Sequence, residues 1–195
     1  MTLIAIEFMS LDGVVQGPSS PEEDRSGGFR HGGWHGRFLE NLSMQWIVEN
    51  LVGSQAYLLG RGTYDIFAAH WPDAGPGEAI LAQPLNTRPK HVVSSRPLDP
   101  NWTNARLLEG DLAASVTQLK SETTGRIALI GSPVLAQSLL ALGLIDELRV
   151  MIDPIVIGSG KRLFGDASNP VNFELSSCVS TVTGSLLATY SKLPK

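Results

Sequence analysis

Cysteine is almost missing from this chain. Its single cysteine, Cys178, excludes an internal disulfide and any cysteine-based zinc site. Alone, it is expected to be a small buried hydrophobe in a strand. Positive charge is also scarce, with 15 Lys and Arg against 19 Asp and Glu and a formal net charge of −4. Such a surface cannot displace counterions from a phosphate backbone, so no nucleic-acid partner is expected. No apolar run approaches the roughly 20 residues that span a bilayer. Residues 1–8 are apolar but short and interrupted by Glu7, unlike a secretory leader, so the expectation is a cytoplasmic protein without a membrane partner. A metal site is not expected either. His31 and His35 are four apart, but Gly32, Gly33 and Gly36 keep them from sharing a helical face. The stretch Gly158-Ser159-Gly160-Lys161 fails as a nucleoside-triphosphate loop, because Ile155 stands where the first glycine belongs and Arg162 replaces the hydroxyl residue.

What the chain does have is apolar content, 43% of 195 residues, enough for a full core and for one domain spanning 1–195. A continuous apolar run at 3–8 reads as a strand covered on both faces. Phe38, Leu42 and Trp46, with Leu39, Ile47 and Leu51 one face over, give a helix over 37–51. Strands follow at 56–59, 91–94, 105–108, 127–130 and 147–152, with helices after Gly60 and over 112–120 and 134–142. Residues 173–179 and 185–190 alternate around Thr183-Gly184 as a hairpin. This order predicts a three-layer α/β/α fold whose mixed, mostly parallel sheet ends in an antiparallel hairpin. The glycine-rich stretch 17–36, with Phe29 and Trp34, reads as a lid that could exclude water.

Chemistry concentrates at the strand ends. Ala128-Leu129-Ile130-Gly131-Ser132-Pro133 runs a strand through a glycine turn into a helix, where unpaired N–H groups and the helix dipole favour an anion. Ser132 is expected to cap that helix and Pro133 suits its first turn. Gly60-Arg61-Gly62-Thr63 and Ser94-Ser95-Arg96 occupy two further strand ends, and in open α/β sheets ligands sit beyond such ends. Two guanidiniums and several hydroxyls exceed what a plain pyrophosphate needs, which favours NADPH over NADH. Taken singly, each of these residues is equally at home as a solvated charge or a turn residue.

In this order the pieces resemble the dihydrofolate reductase superfold, and within it the reductase (RibD C-terminal) domain of bacterial riboflavin biosynthesis and its stand-alone relatives. The resemblance rests on Met9-Ser10-Leu11-Asp12-Gly13, Leu59-Gly60-Arg61-Gly62-Thr63-Tyr64, Val93-Ser94-Ser95-Arg96, Ile130-Gly131-Ser132, and Ile145-Asp146-Glu147-Leu148 leading to Pro154 and Gly158-Ser159-Gly160-Lys161-Arg162-Leu163-Phe164. It implies an NADPH-dependent oxidoreductase. Arg61, Thr63, Ser94 and Ser95 would lie near the adenosine phosphates, with Gly60 and Arg96 in the same set. Gly131, Ser132 and Val134 would lie under the pyrophosphate, and Ala5 and Ile6 near the nicotinamide. Two departures stand out: Ser132 replaces the second of a glycine pair, and Met44 or Gln45 occupies the position where folate reductases carry an acid. Dihydrofolate is therefore set aside as substrate. Asp12, directly after the first strand, is the candidate catalytic acid, although Asp12-Gly13 is also a natural turn. Glu40 and Glu49 read as exposed helix charges. The implied reaction is hydride transfer to a small pyrimidine- or pterin-type substrate, resembling 5-amino-6-(5-phosphoribosylamino)uracil reductase. The alternatives are a non-catalytic NADP(H)-binding or regulatory module and a reductase for another pterin. The resemblance also implies a homodimer, through the terminal strands or residues 154–164.

Overall fold

The computed structural model describes residues 1–98, 102–165 and 170–193. Strands β1 (Thr2–Ser10), β2 (Ala56–Gly60), β3 (Lys90–Val93), β4 (Ala105–Leu108), β5 (Arg126–Ile130) and β6 (Glu147–Asp153) run parallel, and β7 (Phe173–Ser180) and β8 (Leu186–Lys192) close one side antiparallel. The sheet has eight strands in the order β4-β3-β2-β5-β1-β6-β8-β7. Helices are α1 (Asn41–Val52), α2 (Arg61–Ala68), α3 (Ala79–Thr87), α4 (Leu112–Glu122) and α5 (Pro133–Ala141).

Side-chain alternation along β1 explains the three layers. Leu3, Ala5 and Met9 join Val116 and Leu119 of α4 and Leu135, Ala136 and Leu139 of α5 in one core. Ile4 and Ile6 join Ile47 and Leu51 of α1, Tyr64 of α2 and Leu85 of α3 in the other. A strand buried from both sides has no polar face, which is why 3–8 reads as nearly continuous apolar sequence. No helix among the described residues is long and apolar enough to cross a membrane.

Several local expectations change. Helix α1 starts at Asn41 rather than 37, because the Glu40 carboxylate accepts from Leu42 N at 3.0 Å while Ser43 Oγ accepts from Glu40 N at 2.8 Å. Glu40 is thus a cap, not a free helix charge. Helix α3 carries Pro84 and follows the helix-breaking stretch 71–78, so its pattern is masked in the sequence. Cys178 lies in a strand as expected but is exposed, because β7 is an edge strand whose residues from Glu174 to Ser180 face solvent. The 17–36 segment is folded down rather than open. Trp34 Nε1 donates to Gln16 O at 2.9 Å, and Val14, Phe29 and Trp34 form a small core with Phe8, Ile155 and Ile157. A Cβ on Gly160 would stand 2.9 Å from the Phe29 ring and 3.0 Å from Val14, so the glycine lets 158–161 pass close over that core.

Candidate functional site

The connection leaving β1 crosses to β2 through α1 on one face, and the connection leaving β5 crosses to β6 through α5 on the other. The two strands are neighbours, so their carboxyl ends open a crevice at a topological switch point. Gly131 lies at its floor with φ +55°, its N–H donating to Ile6 O at 3.3 Å. That bond ties the β5 turn to β1.

Ser132 takes a role different from the expected cap. It adopts φ 64°, ψ 64°, a left-handed conformation that costs an L-residue about 1–2 kcal/mol. Its side chain does not cap α5. Instead Ser132 Oγ accepts from Gly60 N at 2.7 Å and donates to Thr63 Oγ1 at 2.7 Å. Those two bonds offset the strain and bring the N-terminus of α2 against that of α5. The hydroxyl is turned aside into the fold, and the first-turn amides of Val134 and Leu135 keep no partner within their helix. A Cβ on Gly60 would come within 3.0 Å of Ser132 Cβ and Oγ, so glycine is required for this approach. Two helix N-termini facing one corner give a concentrated positive end suited to a pyrophosphate.

The outer corner is continuous with the inner one through Arg61. Its Nε donates to Asp65 Oδ1 at 2.7 Å and its Nη1 to Pro97 O at 2.8 Å, binding the end of β2 to the turn after β3. Ser94 Oγ accepts from Arg96 N at 3.0 Å and donates to Arg96 O at 2.9 Å, shaping that turn. Ser95 and Arg96 are exposed at its tip. The structure therefore brings Gly60, Arg61, Thr63, Ser94, Ser95, Arg96, Gly131 and Ser132 onto one edge of the sheet. Val134 is 69% exposed beside them. Ala5 and Ile6 are buried in the two cores, so Ile6 serves the corner through its backbone carbonyl and Ala5 through packing alone.

Asp12 is not placed as a proton donor. Its Oδ1 accepts from Ile157 N at 3.0 Å and Ser10 Oγ at 2.8 Å, and its Oδ2 from Gly158 N at 2.8 Å. Arg162 lies against it and donates to its backbone carbonyl. The Ile157 amide above all, with the Ser10 hydroxyl and the Gly158 amide, holds the carboxyl down to about 2 against opposing desolvation, so it stays ionised and braces the 155–162 loop.

Two buried groups that sequence reasoning did not single out stand nearby. Glu7, on the α5 side of β1 one residue past Ile6, is 3% exposed, and its Oε1 has no partner. Burial pushes its carboxyl up to about 8. His35, set aside as a metal ligand, is buried against Asp153 at the end of β6. Neither has a local sequence signal, because the burial of each depends on distant chain. Among the described residues no cluster could hold a metal. A cavity of about 700 Å³ lies elsewhere, between α5, β6 and β8, lined by Met9, Leu148, Val150, Phe164, Phe173 and Tyr190. Its apolar walls touch none of the glycine corners.

Comparison with known proteins agrees with the fold. The uncharacterized protein YyaP of Bacillus subtilis strain 168 is 29% identical over 120 residues, covering 60% of this chain and 63% of that protein, so the match spans less than two thirds of its length. A Shewanella sp. PV-4 protein assigned to riboflavin biosynthesis superposes with a TM-score of 0.74 at 21% identity, covering all of both chains. Dihydrofolate reductase from Enterococcus faecalis, solved with NADP(H), superposes with a TM-score of 0.67 at 16% identity, covering 99% of this chain and 97% of that one. At these identities the structural likeness is one of fold. Residues 1–187 match the model of the RibD C-terminal domain, and the chain belongs to that family of reductase-like domains with a dihydrofolate reductase-type fold.

Proposed function

We propose that this protein is an NADPH-dependent reductase acting on a small pyrimidine- or pterin-type substrate, of the kind reduced by 5-amino-6-(5-phosphoribosylamino)uracil reductase. The observation that carries this reading is the meeting of Gly60, Thr63, Gly131 and Ser132, where two helix N-termini converge at the sheet's switch point. The corner suits a dinucleotide: Gly131 turns at a positive φ, the first-turn amides of α5 have no partner within the helix, and the serine hydroxyl is already spent on holding the helices together. When bound, the nicotinamide supplies a hydride. The chain's own part is to hold, orient and keep dry. The first-turn amides of α5 would hold the pyrophosphate, while Arg61 and Arg96 with Ser94 and Ser95 would hold the adenosine phosphates. Phe29 and Trp34, packed over the end of β1, would limit water at the reacting end.

A titration of tryptophan fluorescence with NADPH and NADH tests this directly. The expected result is saturable binding that favours NADPH, and absence of NADPH binding overturns the reading. A second reading, a cofactor-binding module without turnover, is supported by the locked Asp12 and by Met44 and Gln45 at the expected acid position. Tight NADPH binding with no consumption in the presence of the uracil substrate would favour it. A second copy of the chain is the inferred macromolecular partner. The edge strand β7 leaves Leu175 and Val179 about half exposed and its outer hydrogen-bonding edge open to pairing. Sedimentation as a monomer would refute the homodimer.

A further inference from the structure

At the carboxyl end of β6 lies a polar cluster with one unfilled valence. His35 Nδ1 is 2.6 Å from Asp153 Oδ2, and Ser185 Oγ donates to Asp153 Oδ1 at 2.7 Å. His35 is 2% exposed, and Asp153 and Ser185 are fully buried. The imidazole stacks on Phe8, with centroids 4.1 Å apart and planes 16° from parallel, and meets the edge of Trp34. Its Nε2 is buried and has no hydrogen-bond partner. A carboxylate that already accepts from a serine takes the Nδ1–H, so the network assigns the proton to Nδ1 and leaves Nε2 free. Pinning the 34–38 turn to β6 requires only the Nδ1 bond. A buried ring nitrogen without a partner adds a cost that such a pin does not need.

The position of that nitrogen suggests its use. Phe8 lies on the α1 side of β1, two residues past Ile6, about 7 Å along the strand from the carbonyl that holds Gly131. Phe8 and Met44 of α1 pack against the same core. The two nitrogens of an imidazole point nearly opposite ways, so with Nδ1 turned to β6, Nε2 turns back from β6 above Phe8. Phe8 and Met44 place this ring on the α1 face of β1, near its carboxyl end, and α1 supplies no carboxylate at Met44 or Gln45.

We propose that His35, oriented by Asp153, is a specificity residue whose Nε2 hydrogen-bonds the cyclic-amide edge of the substrate's planar heterocycle; this deepens the reductase reading above and rests on it. A cyclic amide presents an N–H beside a C=O. With its proton on Nδ1, His35 accepts at Nε2 from the N–H of that edge. Pyrimidinediones and pterins carry this edge, whereas a simple sugar or aliphatic carbonyl compound does not. Because Nε2 is sealed from solvent, binding there requires the 33–36 turn to open, which breaks the bonds from Gly33 N to Gly17 O and from His35 N to Pro18 O.

The test uses the full-length protein with ¹⁵N-labelled histidine, saturated with NADPH and titrated with 5,6-diaminouracil. Its 1,3-dimethyl derivative, which lacks the ring N–H groups, serves as the control. His35→Phe, which keeps a ring on Phe8, identifies the signals. The expected result is a shift of the His35 Nε2 resonance with diaminouracil and at least tenfold weaker binding of the dimethyl compound. In His35→Phe the two compounds should bind equally. Asp153→Asn, which favours the other tautomer, should reduce the preference without the loss of a side chain. An Nε2 resonance that does not respond to diaminouracil overturns the proposal, as does equal binding of both compounds to the unaltered protein. NADPH binding is read separately by fluorescence. Loss of that binding with a responsive Nε2 would remove the cofactor reading and leave the histidine's role standing.

Discussion

Glu7 offers the sharpest quantitative prediction. A carboxyl with an ordinary value of 4.5 in the unfolded chain is pushed to about 8 in the fold, by burial. Its neighbours on that face are Ala5 and Met9 along β1 and Val150 across on β6, none of which can stabilise a charge. The sign follows from linkage. Below pH 4.5 the group is protonated in both states and has no effect; as pH rises from 4.5 toward 8, the unfolded chain loses its proton and the folded chain keeps it. Stability is therefore lost progressively across that window. At about 1.4 kcal/mol per unit, the loss amounts to about 3 to 5 kcal/mol, a large part of a typical domain's total stability. Glu7→Gln keeps the shape and removes the titration. Urea unfolding of both proteins from pH 4.5 to 8.5 should give similar stabilities at the acid end and a growing advantage for the glutamine variant toward the alkaline end. Other titrating groups are common to both proteins and cancel in the difference. A difference that stays flat across this range would show that Glu7 finds a compensating partner, and the burial argument would fail.

The other predictions concern the corners. Ser132→Ala should lower stability by about 1 to 3 kcal/mol, because Gly60 N loses its acceptor and the left-handed backbone loses its compensation; unchanged thermal unfolding would refute the bridge. Gly60→Val should abolish NADPH binding with the fold retained by circular dichroism, since the new side chain enters the space of Ser132; undiminished binding would place the dinucleotide elsewhere. Arg61→Ala should weaken NADPH about tenfold and NADH less, measured by fluorescence titration, and equal losses would mean that the guanidinium does not reach the extra phosphate. Asp12→Asn should destabilise the protein near neutral pH, with the difference from the unaltered protein fading as pH falls from about 4 toward 2; a difference that persists at pH 2 would mean that the ionised carboxylate is not what braces the loop.

The architecture and the positions of the strand-end glycine turns were legible in the sequence. Apolar runs such as 3–8 and 127–130 and the helical stripe of α1 are local patterns, and Gly131 and Gly60 mark turns whose steric demands belong to the residue itself. Local patterns fail where a partner lies far along the chain. Ser132 reads as a cap because serine caps helices, yet its hydroxyl is captured by Gly60 and Thr63 on another helix. Asp12 reads as an acid beside the site, yet amides some 145 positions away claim its carboxylate. Cys178 is an exposed edge residue for the same reason: exposure is a property of the assembled sheet, whereas Glu40 caps α1 through Leu42 and Ser43, partners local in the sequence. His35 meets Asp153 across 118 positions, and only the closed fold decides that its ring is buried with one nitrogen free. Backbone conformation is governed by neighbours in sequence, whereas protonation, burial and hydrogen-bond partnership are governed by neighbours in space.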